Sequence, residues 1–144
     1  LYGVSIDVGD VEAGDWRAEL VLDIDHITEW VKGADGAITF LVAPATLVFH
    51  DVTDLKLNID WGRSGHQTAL HEASIGQIER EQVADQKICL DRPYYSWRIV
   101  LNWPHDGMIT FGASGYTQKL RKEPFETEQQ NLAPGMRTPS GSAG

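Results

Sequence analysis

The strongest pattern in the chain is an alternation of apolar and polar residues between positions 95 and 113. From Tyr95 to Trp103 every odd position is aromatic or aliphatic, and the positions between them are mostly polar. After a break at Pro104-His105-Asp106-Gly107, the odd positions 109, 111 and 113 are apolar again. A period of two is typical of a strand with one buried face. The stretch therefore predicts an antiparallel hairpin around which the rest of the chain is organised.

The turn of this hairpin has to keep both apolar rows on one face. Opposite residues in an antiparallel pair point to the same face, so odd positions must pair with odd positions. A four-residue loop closed by Trp103 and Met108 would break this rule. We therefore predict a three-residue loop with Gly107 in a G1 bulge, or a five-residue loop closed by Trp103 and Ile109. The centre of the core should then consist of Ile99, Leu101, Ile109 and Phe111.

Weaker alternation recurs about every ten residues, a spacing typical of antiparallel sandwiches and barrels. It predicts an all-β fold, a single antiparallel β-sandwich or incomplete barrel, over residues 1–122. From residue 123 onward Pro, Gly and Ser dominate, and so few apolar residues cannot offset the entropy of ordering. Residues 123–144 are therefore expected to form a disordered or loosely docked tail. Strands are expected at 1–8, 16–27, 37–42, 46–50, 55–61, 73–83, 86–91, 95–103, 109–113 and 118–121.

Local breaks in the pattern make three further predictions. Pro44 cannot donate in a ladder, so it should separate two strands. Residues 29–31 are interpreted as a turn of helix or a strand bend. Ile75 and Ile78 differ in parity, which predicts a bulge at Gly76 or an edge strand.

Composition narrows the class of partner. The 144 residues carry a net charge of -9, which argues against nucleic acid and anionic membranes because both are bound by clustered Lys and Arg. An acidic surface permits a basic protein partner, although it is also an ordinary means of solubility. No apolar run approaches the ~20 residues of a membrane span, and no secretory signal is visible, so a cytoplasmic location is expected. The single cysteine excludes an internal disulfide.

Two groups of residues are weak candidates for a metal site. Asp23 and Asp25 project from one strand face about 7 Å apart, and paired carboxylates suit a hard cation such as calcium. The alternative is the solvated outer face of an ordinary strand. His66 and His71 lie in or beside the polar loop 62–71, but zinc needs three or four converging ligands. No metal or cofactor is assigned on these patterns.

Catalytic motifs are missing from the sequence. There is no strand-turn-helix nucleophile elbow and no glycine-rich phosphate loop before a helix, so no catalytic residue is assigned. Four aromatic residues near predicted strand ends are candidates for an interaction patch, because Trp and Tyr dominate binding hot spots. The alternative is that they plug the ends of the core. They are Trp30, Trp61, Tyr94 and Tyr95.

Two segments, residues 20–30 and 43–52, resemble parts of small uncharacterised bacterial β-domains. The pattern F-x-x-V-x-x-L at Phe49, Val52 and Leu55 is more distantly similar to domains of bacterial toxin-immunity proteins. The resemblance implies a non-enzymatic module that binds and blocks a partner protein. Two alternatives stay open, a β-domain that binds a small ligand or metal, and a hydrolase with an unrecognised Asp/His site.

Overall fold

The chain folds into two antiparallel sheets packed face to face. The computed structural model describes residues 1–61, 72–84, 92–128, 130, 132 and 137. The strands in the described ranges are β1 (Gly3–Val8), β2 (Ala18–Lys32), β3 (Ile38–His50), β4 (Thr53–Asn58), β5 (Ser74–Gln82), β6 (Tyr95–Trp103), β7 (Met108–Ala113), β8 (Gly115–Leu120) and β9 (Phe125–Thr127). One sheet has the strand order β1-β2-β3-β8, with β9 also paired to β3, and the other has the order β4-β7-β6-β5. The sheets do not close into a barrel, so the predicted all-β fold is confirmed in its sandwich form.

The core lies between the apolar rows of β2 and β3 in one sheet and of β6 and β7 in the other. Phe49 joins the two layers, because its ring centroid lies 5.0 Å from that of Trp97 and 4.7 Å from that of Phe111, both edge-on. Such contacts stabilise beyond the area they bury. The predicted centre is confirmed, since its four members are all buried: Ile99, Leu101, Ile109 and Phe111.

The β6–β7 hairpin has the predicted parity but a different turn. Ile99 pairs with Ile109, so odd positions meet odd positions. The ladder ends where Leu101 N donates to Gly107 O at 2.9 Å, which leaves residues 102–106 in the loop. Both predicted closures were therefore wrong. The left-handed residue is Asp106 (φ 63°), and Gly107 serves close packing instead, because a Cβ there would lie 2.7 Å from Leu101 Cδ1.

Pro44 does not interrupt its strand, contrary to the prediction. β3 runs unbroken from Ile38 to His50, and Pro44 lies opposite Asp25 of β2. Its carbonyl accepts a bond from Arg121 N at 2.8 Å on the side away from β2, so its nitrogen faces that side too. There β8 pairs with residues 45–50 and β9 with residues 40–42. The missing N–H therefore falls in the gap between two partner strands.

Two other strand breaks are explained by bulges. β2 continues through the segment predicted as a helical turn or bend, with a register shift between Ile27 and Glu29. β5 is an edge strand with register shifts on both sides of Ile75, so both predictions for this region are confirmed. A Cβ on Gly76 would lie 2.3 Å from Asn102 Oδ1, so a larger residue there would have to displace the Asn102 side chain. The predicted strand 86–91 and loop 62–71 lie outside the described residues.

Part of the predicted tail packs on the domain. β9 extends the sheet beside β3, and Leu132 is buried on the outer face of that sheet against Phe40 and Val42. Arg137 is also buried. Of the two predicted forms of the tail, the described positions have the docked one, because the outer face of β3 offers an apolar surface at Phe40 and Val42. No helix long and apolar enough to span a bilayer occurs in the described ranges.

We expect Ile109→Ala to lower the free energy of unfolding by about 2–5 kcal/mol, because it leaves a cavity between the sheets. Leu57→Ala is the matched control, since Leu57 lies directly opposite Ile109 in the β4–β7 pair but is 50% exposed. Leu57→Ala should lower the free energy of unfolding by less than half as much as Ile109→Ala does. Urea denaturation of both variants measures the difference, and equal losses would contradict this description of the core.

Candidate functional site

Among the strands described, β1 is an edge strand, and the backbone groups on its outer side have no ladder partner there. Within the described ranges it pairs only with β2. Ala18 lies opposite Val8, and its carbonyl accepts a bond from Val52 N at 2.9 Å on the β3 side. Residues of an antiparallel strand alternate between facing their partner and facing away. The N–H and C=O groups that point out of the sheet edge are therefore those of Val4, Ile6 and Val8.

The same three residues carry exposed apolar side chains. They face the core side of the sheet, opposite buried Leu22 and Leu20 of β2. Yet Ile6 is 59% exposed and Val8 is 65% exposed, because β1 projects past the cover of the second sheet. A free edge with alternating apolar side chains is a template for an added strand.

An acidic loop adjoins this edge. Asp10 fixes the shape of this loop, because its carboxylate accepts bonds from the backbone N–H groups of Glu12 (3.0 Å) and Ala13 (3.2 Å). Trp16, at the end of the loop, is 77% exposed. Arg17 approaches three carboxylates at 3.5–3.9 Å, but such exposed pairs contribute little. The loop therefore holds its carboxylates and the exposed Trp16 side chain in fixed positions beside the outer edge of β1.

The other edges are protected by the means that natural sheets use against strand addition. β5 has a bulge and the charged run Glu79-Arg80-Glu81. β4 alternates its apolar residues with Asp54, Lys56 and Asn58, and β8 carries Lys119. Only β1, among the strands described, combines six paired residues with an apolar row that is exposed throughout.

Asp23 and Asp25 share one strand face, as predicted. The place that a metal ion would take beside their carboxylates is occupied by arginine side chains. Arg137 binds both carboxylates, and Arg121 also binds Asp23. The Asp25 side chain is only 3% exposed, and its second oxygen accepts a bond from Leu132 N at 2.8 Å. In the described part of the chain, no three His, Cys, Asp or Glu side chains converge. His66 and His71 lie outside the described residues.

Tyr2 completes this cluster. Its ring lies under the Arg137 guanidinium, whose carbon is 3.5 Å from the ring centroid. Its hydroxyl donates to Leu132 O at 3.0 Å. The carboxylate pair therefore anchors the C-terminal segment to β2. Sequence reasoning found the two acids but missed Arg121 and Arg137, which are 98 and 112 residues distant from their partners.

The four aromatic candidates are scattered. Tyr94 is buried, and its hydroxyl donates to Asp51 O at 2.7 Å, so it fastens the β3–β4 corner. Tyr95 is half-buried beneath Arg80. Trp30 is exposed but packs edge-on against Phe40, with centroids 4.9 Å apart, and Trp61 is at the border of exposure. These residues do not form one patch, and Trp16, which sequence reasoning passed over, is the most exposed tryptophan described.

One histidine has the partners that a hydrolase would need. His50 Nδ1 lies 2.9 Å from Glu19 Oε2, and its Nε2 lies 3.1 Å from Thr117 Oγ1. The order hydroxyl, imidazole, carboxylate is that of a catalytic triad. However, the three residues are neighbours across paired strands on the outer face of a sheet, and other residues line the two cavities described. Strand pairing alone explains the contact.

The fold and this edge define a two-layer antiparallel β-sandwich in which β1, among the strands described, has an uncovered edge beside an acidic loop. Comparison with protein-family models, with curated proteins and with solved structures finds no match to this chain. The resemblance to immunity-type β-domains therefore stays a prediction.

We expect Arg137→Ala to destabilise the chain by about 3–5 kcal/mol, because it leaves the buried Asp25 carboxylate without a charge partner. Adding Asp25→Asn should recover part of the loss. The control is Arg98→Ala, which breaks an exposed pair with Glu79 and should cost at most ~1 kcal/mol. Urea denaturation measures all three, and equal losses for the two arginine variants would contradict the anchoring role.

The Tyr2 phenol should lose its proton at a higher pH than an ordinary tyrosine does. Burial, and then the nearby Asp25 carboxylate, raise its pKa from 10.0 to about 12. The folded chain thus holds this proton more tightly than the unfolded chain. The resulting stabilisation is complete below pH 10 and is lost as the pH rises from 10 toward 12. Ultraviolet absorbance of phenolate against pH should show a late phase that Tyr2→Phe lacks; an unchanged curve in the variant would refute it.

Proposed function

We propose that this chain is a non-enzymatic protein-binding module that takes up an extended segment of its partner as an additional strand on β1. The observation that carries the proposal is the outward direction of the Val4, Ile6 and Val8 backbone groups together with the exposure of their side chains. Main-chain bonds along such an edge supply affinity, and alternate side chains supply specificity.

The chemistry of the edge defines the segment. On the apolar face, side chains of the partner would pack across from Ile6 and Val8 as cross-strand neighbours. On the opposite face, β1 presents Ser5 and Asp7, and the loop beyond it presents Asp10 and Asp15. The partner segment should therefore alternate aliphatic residues with Lys or Arg. The net charge of -9 favours encounter with such a basic partner.

This chemistry fits an inhibitor of the immunity type, which blocks its partner by covering it. A strand held on β1 is withdrawn from its own protein and is no longer available there. The metal-binding alternative has less support, because arginines neutralise Asp23 and Asp25. The hydrolase alternative depends on His50, whose contacts with Glu19 and Thr117 follow from strand pairing.

Peptides selected from a random display library on the full chain should alternate apolar and basic residues. Ile6→Pro should weaken them at least ~tenfold, about 1.4 kcal/mol, because proline removes one outward N–H and spares the bonds between β1 and β2. Ile6→Val is the matched control, since it keeps both the backbone donor and an apolar side chain. Unchanged melting temperatures establish that both variants fold.

Hydrogen exchange identifies the edge that is used. The Val4 and Ile6 amides should exchange fast in the free chain and slowly in the complex, because binding converts them into ladder donors. Slowing at the amides of β5 instead, or equal affinity of Ile6→Pro and Ile6→Val, would show that β1 is not the binding edge.

A further inference from the structure

A second opening lies on the opposite side of the sandwich. There the edge strands β8 and β5 leave a cleft of about 380 Å³ between the two sheets, within the roughly 300–1,000 Å³ of small-molecule sites. The core residues Phe49 and Trp97 form its floor, and Tyr116 and Ile78 form its walls. Both wall residues face inward by register yet are exposed, because no further described strand covers them.

Three aromatic rings meet in this cleft. The Trp97 ring centroid lies 5.0 Å from that of Phe49 and 5.8 Å from that of Tyr116, both edge-on. Trp97 is fixed in place, because its indole N–H donates to Ala113 O at 3.2 Å. Trp97 is only 4% exposed, so it contributes a rigid floor to the cleft that is formed before any ligand arrives.

Arg80 lies at the edge of this cleft. Its guanidinium carbon is 4.6 Å from the Tyr95 ring centroid and 5.7 Å from that of Trp97. No carboxylate in the described part of the chain lies within ion-pair distance of it. Its neighbour Glu79 projects from the other face of β5 and binds Arg98 at 3.0 Å. A guanidinium that lies over aromatic rings keeps its N–H donors available for a planar anion.

We propose that this cleft binds a small amphipathic carboxylate. The apolar body of the ligand packs between Trp97, Tyr116 and Ile78, and its carboxylate accepts bonds from Arg80 and from the amide of Gln118, which also lines the cleft. The site is separate from β1, so a ligand here and a strand there can be bound together, and the proposal does not depend on the proposed protein-binding function.

The test uses the full chain labelled with nitrogen-15 and four probes. 2-Naphthoate and octanoate have the proposed chemistry, and 2-naphthalenemethanol and octanol are their neutral counterparts. Each carboxylate should shift the Trp97 indole resonance and bind at least tenfold more tightly than its alcohol. Arg80→Gln should abolish this preference without removing binding of the alcohols. Arg98→Gln is the matched control and should leave every affinity unchanged.

Ile78→Trp supplies a second variant that acts on shape alone. Ile78 is exposed, so the larger ring can be accommodated in the folded chain, where it fills the cleft and should abolish binding of all four probes. The proposal is overturned if neither carboxylate shifts the Trp97 resonance at millimolar concentration. It is equally overturned if the carboxylate preference persists in Arg80→Gln, or if Ile78→Trp binds the probes as before.

Discussion

The fold depends on the contact of Phe49 with Trp97 and Phe111 across the two sheets. Hydrophobic burial requires each strand to turn its apolar row toward this contact, and a side-chain period of two allows one register parity only. That single constraint fixes how β2 meets β3 and how β6 meets β7. It also explains the departures from regular geometry, since the bulges in β2 and β5 restore parity where the sequence shifts it.

In the part of the chain that the structure describes, the same arrangement leaves the sandwich open along both sides, and the two openings differ in their chemistry. On one side β1 offers backbone groups and aliphatic side chains beside acidic residues, which suits an extended basic segment. On the other side the space between β5 and β8 has aromatic walls and the guanidinium of Arg80. The two openings thus present opposite charge and different shape, and they favour different classes of ligand.

Much of the fold could be predicted from the sequence, because alternation is a local property. The β6–β7 hairpin, its four core residues and the edge position of β5 all followed from parity. Pro44 misled the prediction, since whether its missing N–H matters depends on where two distant strands end. The site was less accessible. Asp23 and Asp25 were recognisable as a pair, but their arginine partners are determined by the return of the C-terminal segment, which no local pattern encodes.

The pairing of Arg137 with Asp25 also bears on how the chain folds. The two residues are separated by 112 positions, so their contact closes a loop that includes most of the polypeptide. Contacts of such long range are slow to form, because the entropy of closure precedes any gain. During synthesis on the ribosome, the Asp25 carboxylate lacks its ion-pair partner until Arg137 has emerged. Sealing of the outer face therefore cannot be complete before residue 137 has been synthesised.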